Sequence, residues 1–223
     1  MKTVKKRKFK KKALFMLLIL FVIIFLTVFY VFNFHITNVY ISGNTIYTDQ
    51  EIIDMAKLSN YPRTLNNNEL IIKKRLEKSK YIKRAKIRKK NFLRSVYINI
   101  IENRPILIYK NQTILFDKTP SDEKFNVPIL INDIDNEDIF NKLINCLAKI
   151  DKDILERISE IKYDPNDVDK QKFLLYMSDG NNVYITLRKI ERMNNYVEII
   201  STFQGKKGTL YLDSGEYFEL FGG

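Results

Sequence analysis

Chemistry needs side chains that can carry it, and this sequence offers few in useful combinations. It has one cysteine, Cys146, and one histidine, His35. A single cysteine excludes a disulfide framework and any CxxC metal or redox pair. A single histidine excludes His-based zinc sites and argues against a His-dependent triad. Cys146 falls on an apolar helix face with Leu143 and Leu147, where a buried, inert thiol is the expectation. Asp164, Asp167 and Asp169 surround Pro165-Asn166. A calcium loop also needs a glycine and a closing glutamate, and both are missing, so the segment reads as a solvated turn. Ser178-Asp179-Gly180 has no Ser-x-x-Lys nucleophile in a matching context and no Lys-Thr-Gly, and reads as a turn as well. Glu102 near Arg104 reads as a salt-bridged strand end rather than an acid–base pair. Only seven glycines are spread through the chain, and none forms a phosphate-cradling loop. No catalytic, cofactor or metal site is expected.

Charge and hydropathy say more. The net charge of +12 over 223 residues is unevenly placed. Residues 1–12 carry eight Lys/Arg and no acid; residues 34–110 carry sixteen basic and six acidic residues; residues 111–223 carry fourteen basic and twenty acidic. Separate modules are implied, not one uniformly basic nucleic-acid binder. Between the tail and the basic module, Ala13 to Phe34 has no charged residue. Its core, 13–32, would make a helix about 30 Å long, the thickness of a bilayer's hydrocarbon layer. A cleaved signal peptide would be shorter and would end in small residues, whereas Phe29-Tyr30-Val31-Phe32 is bulky. The run therefore reads as an uncleaved anchor. The positive-inside rule keeps the basic tail in the cytoplasm and puts residues after about 34 outside. Tyr30 and Phe32 would sit near the outer interface.

Beyond the anchor, Phe34 to Ile41 alternates with a slip near Asn38 and predicts a strand. Ser42-Gly43-Asn44 is a turn. Thr48 with Glu51 forms a capping box for a helix whose apolar face is Ile52, Ile53, Ala56 and Met55. The stretch 57–62 breaks it. Asn66 or Asn67 caps a second helix with Leu70, Ile71 and Leu76 facing inward. Ile82, Ala85 and Ile87 make a broken strand pattern, Asn91–Ser95 a turn, and Val96, Ile98 and Ile100 a clean strand into Glu102. After Pro105 come a short hairpin (106–109 and 113–116), a helix capped by Asp135 or Asn136 through Phe140, Leu143, Ile144 and Leu147, and a strand at Ile158, Ile161 and Tyr163. A second hairpin follows, 173–177 with 183–187. Residues 188–203 have helical spacing at Ile190, Met193, Tyr196 or Val197, and Ile200. Thr209–Asp213 reads as the last strand.

Three segments carry a family likeness. FHITNVYISGN matches a start pattern at Ile36, Val39, Ile41, Gly43 and Asn44. YIKRAKIRKK matches at Ile82, Ala85, Ile87 and Arg88, and VYINIIENRP at Ile98, Ile100, Glu102 and Pro105. Together they resemble the POTRA domain of the bacterial FtsQ/DivIB family. The second hairpin turn departs from the family's frequent Trp-Pro and reads Asn91-Phe92-Leu93-Arg94, and Ser214-Gly215 stands where the family usually has Arg soon after the terminal Asp.

The resemblance implies an α+β architecture. A cytoplasmic tail (1–12) and a single N-terminal transmembrane helix (13–34) precede a small POTRA domain of β-α-α-β-β order (35–104), with a hinge near Glu102–Pro105. A mixed C-terminal β domain with helices (105–223) follows. The implied function is a non-enzymatic membrane-anchored scaffold of the divisome, located at the division septum. It would recruit or stabilise partners for septal peptidoglycan synthesis, resembling FtsL and DivIC/FtsB, without a cofactor. The alternatives are a membrane-anchored cell-envelope enzyme or regulator, or a POTRA-bearing transport component; the latter usually carries several POTRA repeats or a barrel.

Two surfaces are candidates for partners. Lys73 to Arg94 holds twelve Lys/Arg and one acid, Glu77. Its place outside the membrane argues against nucleic acid and leaves a solvated face, anionic lipid or a cell-wall polymer. At the other end, a last strand at 209–213 would leave its outer edge uncovered, a template for another chain. Tyr211, Tyr217 and Phe218 are aromatics of the hot-spot kind, although Tyr211 and Phe218 could equally be core residues. Because the family's terminal strands meet the FtsB-like partner, the resemblance assigns partner binding to Tyr211, Leu212, Asp213, Tyr217 and Phe218.

Overall fold

The computed structural model describes residues 11–91 and 93–222. The expected basic tail, except Lys11 and Lys12, lies outside the described residues, as do Phe92 of the second hairpin turn and Gly223. Helix α1 (Lys11–Phe32) is 22 residues long, about 33 Å at 1.5 Å per residue. It is long and apolar enough to cross a membrane, with a mean hydropathy of 3.0 over its apolar window. The leucines, isoleucines and phenylalanines that the structure describes along it are exposed, as suits a helix solvated by lipid rather than by protein. Beyond it the chain folds as two compact units divided after Glu102.

The first unit follows the expected order. It comprises β1 (Asn38–Ser42), α2 (Asp49–Ala56), α3 (Glu69–Leu76), β2 (Ile82–Lys90) and β3 (Ser95–Glu102), with the sheet ordered β1-β3-β2. The capping box is formed: the Thr48 hydroxyl accepts from the Glu51 N–H at 3.3 Å, and the Thr48 N–H donates to the Glu51 carboxylate at 2.8 Å. The Thr48 N–H, and the Thr48 hydroxyl donating to the same carboxylate, hold the Glu51 carboxyl below the usual carboxylate range. One turn apart, Ile52 and Ala56 are both fully buried. Lys57, left-handed at φ 57°, closes the helix.

The cap of α3 differs from the expectation. Asn68, not Asn66 or Asn67, receives the Ile71 N–H, at 2.8 Å. The Asn67 amide is already committed, donating to the Arg63 carbonyl and accepting from Arg75. The shifted start rotates the helix so that Ile72 and Leu76 are buried while Leu70 is 69% exposed. The broken apolar pattern of β2 has a plain cause. Its register with β3 slips between Ile82 and Arg84, and this bulge lets Ile82 and Ala85, three residues apart, face the same core. Val96, Ile98 and Ile100 of β3 supply the centre of that core.

The second unit is built on one nine-stranded mixed sheet. Its strands are β4 (Pro105–Tyr109), β5 (Gln112–Leu115), β6 (Pro120–Ser121), β7 (Ile129–Leu130), β8 (Ile158–Tyr163), β9 (Lys172–Met177), β10 (Asn182–Thr186), β11 (Gly208–Tyr211) and β12 (Tyr217–Leu220). Their spatial order is β12-β11-β10-β9-β8-β7-β4-β5-β6. Helices α4 (Glu137–Leu147), capped by Asn136, and α5 (Lys152–Leu155) follow β7. The segment 188–203, read as helical throughout, is instead a 3₁₀ stretch (Leu187–Asn195, starting at the residue that ended the expected hairpin strand) that passes into a short α6 (Tyr196–Ser201). The three-residue spacing of Ile190, Met193 and Tyr196, all buried, suits three residues per turn, and Val197 is left exposed. Leu143, Ile144 and Leu147 of α4 join these residues against Phe173, Leu175, Val183, Ile185 and Leu210 on one face of the sheet.

Glu102 and Arg104, read as a salt-bridged strand end, are each engaged inside their own unit. The Glu102 carboxylate accepts from the Thr45 and Ile46 N–H groups at 2.5 and 2.8 Å. Arg104 donates to the carbonyls of Leu147, Ala148 and Ile150 at the end of α4.

Gly43 is the tightest point of the first unit. Its φ is +81°, and a β-carbon there would overlap the Ile100 carbonyl oxygen. Gly43→Ala is expected to destabilise the first unit by about 1–3 kcal/mol, read as an earlier unfolding transition by circular dichroism in denaturant. An unshifted transition would contradict this account of the turn.

Candidate functional site

The side chains weighed for chemistry serve structural ends. Cys146 is half-buried with its thiol donating to the Leu187 carbonyl at 3.5 Å, and burial pushes the thiol up from its ordinary value. Asp164 pairs with Lys162 at 3.1 Å, Asp167 with Lys170 at 3.5 Å, and Asp169 accepts the Gln171 N–H at 2.7 Å. Among the described residues no three His, Cys, Asp or Glu side chains converge as metal ligands would.

The C-terminal strands show a different kind of site. Thr209–Asp213 is not the last strand. β12 follows it and pairs antiparallel with β11, Tyr211 opposite Tyr217 and Gly208 opposite Leu220. Gly208 permits this, since a β-carbon there would overlap the Glu219 carbonyl oxygen and crowd the Phe218 ring. The uncovered edge therefore lies one strand further out, on β12.

Asn181, fully buried in the turn between β9 and β10, fixes where this hairpin starts. Its carbonyl oxygen accepts the Gly208 N–H at 3.0 Å, and its amide donates to the Tyr196 hydroxyl at 3.1 Å. That hydroxyl donates in turn to Asp179 at 2.8 Å. Burial, reinforced by the Asp179 carboxylate, pushes the Tyr196 phenol well above its ordinary value, so it stays a donor.

On the sheet face opposite the helices, strand register aligns a row. Lys162 stands opposite Leu174, Leu174 opposite Tyr184, Tyr184 opposite Tyr211, and Tyr211 opposite Tyr217. The three tyrosine rings stack, with centroids 5.4 and 4.5 Å apart. Each such pair is worth about 0.5–1.5 kcal/mol beyond its buried area. Lys172 lies 4.4 Å from the Tyr184 ring centroid and 2.8 Å from the Asp213 carboxylate. The Tyr211 hydroxyl donates to Glu219 at 3.2 Å. Desolvation and that carboxylate push the Tyr211 phenol above its ordinary value.

The five residues named from sequence thus fall into distinct positions. Tyr217 ends the row on the edge strand and is 51% exposed. Tyr211 is the next ring inward. Phe218 is half-buried, packs against the core and stacks on Phe203 at 4.2 Å. Leu212 is buried, its N–H donating to the Tyr184 carbonyl at 2.8 Å. Asp213 is held by Lys172. Tyr184 and Lys172 were not legible in the sequence, because register across four strands brings them in; the exposed Leu220 and Phe221 beside Tyr217 could have been read from the apolar run Tyr217-Phe218-Glu219-Leu220-Phe221.

The two ends of the sheet differ. β6 is two residues long and contains Pro120, both devices that blunt an edge. β12 has neither proline nor lysine and carries exposed apolar side chains.

The fold and this surface define a protein with an N-terminal helix apolar enough to cross a membrane, a small three-stranded α+β unit and a C-terminal sheet that ends in an aromatic edge strand. Residues 34–103 match the POTRA domain of FtsQ type, so the first unit is a domain of that class. Curated proteins similar to the chain are cell division proteins DivIB, in keeping with the likeness of its motifs. It is 28% identical to DivIB of Listeria monocytogenes over 192 residues, which cover 81% of this chain and 71% of that protein. It is 26% identical to DivIB of Bacillus subtilis over 201 residues, covering 84% and 74%. A solved structure, the major extracytoplasmic domain of DivIB from Geobacillus stearothermophilus (trans isomer), matches with a TM-score of 0.38 and 20% identity. That match covers 46% of this chain and 93% of that one, a likeness too slight to carry inference. These homologues support a role in cell division. With one helix among the described residues long and apolar enough to cross a membrane, the chain fits a single-pass membrane protein, and the proteins it resembles are cell division POTRA proteins rather than members of a known enzyme family.

The Lys172–Asp213 pair makes the site pH-sensitive at its limits. Burial opposes both charges, but the hydrogen bond and mutual attraction outweigh it, holding Lys172 above and Asp213 below their ordinary values. The Asp213 contribution is therefore complete above the ordinary carboxylate pKa and lost as pH falls through the lowered one. The Lys172 contribution is complete below the ordinary lysine pKa and lost as pH rises through the raised one. Asp213→Asn is expected to cost about 1.5–3 kcal/mol at neutral pH and to flatten the acid limb of a melting-temperature-against-pH curve. An acid limb as steep as that of the unaltered chain would refute this role for the pair.

Proposed function

We propose that this chain is a non-enzymatic, single-pass scaffold of the division machinery that binds its partners by strand pairing at β12. The observation that carries the proposal is the contrast between the two ends of the nine-stranded sheet: one short and closed by proline, the other open, aromatic and free of lysine. A partner segment laid along β12 gains main-chain hydrogen bonds, which give affinity. Tyr217, Leu220 and the row behind them offer side-chain contacts, which give specificity. In this reading Tyr217 and Phe218 contact the partner, and Tyr211, Leu212 and Asp213 hold the edge in place. Family likeness makes proteins resembling FtsL and DivIC/FtsB the partners, and the septum the place of action.

The eight-cation tail supports a cytoplasmic N-terminus with both units outside. The basic segment Lys73–Arg94 then faces the cell envelope. Arg84, Lys86, Arg88 and Lys90 alternate along β2, beside the stacked Tyr40 and Tyr97, centroids 4.7 Å apart. On that outer side the column suits an anionic lipid or cell-wall polymer, and its place outside the membrane argues against nucleic acid.

The test of the edge is binding of the full chain in lipid nanodiscs to a DivIC-type partner. Tyr217→Ala is expected to weaken it by about 1–3 kcal/mol, and deletion of residues 216–223 to abolish it, with native circular dichroism retained. Undiminished binding in both variants would move the interface elsewhere. Topology is read separately by reporters fused at Gly223: a surface-active reporter is expected to work and a cytosolic one to stay silent, and the reverse pattern would reject the scaffold reading.

A further inference from the structure

The segment that leaves α1 is stitched to two loops of the first unit. The Ile36 N–H donates to the Pro62 carbonyl at 3.0 Å, the Thr64 N–H to the Phe34 carbonyl at 2.8 Å, and the Thr37 N–H to the Arg94 carbonyl at 2.9 Å. Thr64, 2% exposed, closes the set by donating its hydroxyl to the Leu93 carbonyl at 3.1 Å. The loop 60–68 and the turn residues Leu93 and Arg94 are thereby fixed at the end of the unit where the chain emerges from its helix. Phe34 lies two residues past the last residue of α1, and residues 33–37 are all that separates the helix from β1. At about 3.3–3.6 Å per extended residue, these loops cannot lie far from the surface of a bilayer that α1 crosses.

What they present is unusual for loops in water. Tyr61 is 67% exposed, Leu65 42% and Leu93 44%. Tyr61 and Leu93 are held at φ 51° and 67°, a left-handed conformation rare for bulky residues and found where a site over-determines it. Arg63 and Arg94, both exposed, flank them, and neither is ion-paired among the described residues. Arg94 lies over the Phe34 ring at 5.2 Å. The acid that opens α3, Glu69, is turned to the Lys89 N–H at 2.9 Å, and the Lys89 amine to the Thr64 carbonyl at 3.0 Å. Apolar tips beside unpaired guanidinium groups match the interfacial layer of an anionic bilayer, where apolar side chains enter the boundary and arginines bind phosphate.

We propose that these two loops dock the first unit on the surface of the bilayer that α1 crosses. Tyr61, Leu65 and Leu93 enter the headgroup layer, and Arg63 and Arg94 take lipid phosphates. The inference rests on α1 being a membrane anchor.

The chain contains no tryptophan, so single introduced ones report depth without background. Full-length Leu93→Trp, Tyr61→Trp, Phe21→Trp (in α1) and Val168→Trp (96% exposed, in the acidic turn between β8 and β9) are reconstituted into vesicles of acyl-brominated lipid, either phosphatidylcholine alone or with phosphatidylglycerol. Circular dichroism verifies each fold. The expected result is blue-shifted, quenched emission from Phe21→Trp in both lipids, from Leu93→Trp and Tyr61→Trp more strongly with phosphatidylglycerol, and none from Val168→Trp. Adding Arg63→Glu or Arg94→Glu to Leu93→Trp should lower the docked-to-free ratio about fivefold per arginine. Unquenched Phe21→Trp would reject the anchor itself. Quenched Phe21→Trp with Leu93→Trp and Tyr61→Trp both as water-exposed as Val168→Trp would overturn the docking while the anchor stands. Quenching indifferent to phosphatidylglycerol and to both charge reversals would overturn the phosphate contacts.

Discussion

A buried amide that satisfies one donor and finds one acceptor can decide where a strand begins, and Asn181 does so here. Its carbonyl oxygen takes the Gly208 N–H and its amide reaches the Tyr196 hydroxyl. An unpaired polar group at that depth would cost about 1–3 kcal/mol, so the turn between β9 and β10, the short helix α6 and the start of β11 are locked to one register. Everything beyond depends on it. β11 lies parallel to β10 with Tyr184 beside Tyr211, β12 folds back on β11, and the tyrosine row reaches the edge only in that register. A shift by one residue would turn Tyr211 inward and Leu210 out.

Local signals were read well wherever local physics decides. The Thr48–Glu51 box, the Asn136 cap, the alternation of Val96, Ile98 and Ile100 and the hairpin at 173–187 all act within a few residues. The order of elements in the first unit followed from them, and the likeness of three segments to one family gave its fold. At Ile82–Ala85, where the pattern seemed broken, and at Ile158–Ile161, which has the same three-residue spacing, the structure has a bulge or irregularity in register. The apolar spacing was faithful, and the strand was not regular.

The misreadings have a common origin in distant partners. Asn67 was a reasonable cap until Arg75 and the Arg63 carbonyl claimed its side chain. Leu70 looked inward because the helix was started too early. β12 was missed because Tyr217-Phe218-Glu219-Leu220 barely alternates, and its pairing depends on the missing side chain of Gly208 and on an amide 27 residues earlier. Asp213, a plausible contact by sequence, is occupied by Lys172 from a strand two places away in the sheet. Tyr184 could not be nominated at all without the register that stacks it on Tyr211.

The brevity of β12 has a thermodynamic meaning. Four residues can add only a few hydrogen bonds to a visiting strand, each worth about 1 kcal/mol net, too little to hold two freely diffusing proteins against the entropy of association. Under the strand pairing proposed above, a chain confined by α1 to the same bilayer as its partners would meet that cost differently. Shared confinement raises the effective concentration of one for the other and makes the encounter nearly intramolecular. A weak edge is then sufficient for assembly, and weakness becomes useful: the contact can form where anchored partners gather and dissolve when they disperse, without any unfolding of either protein.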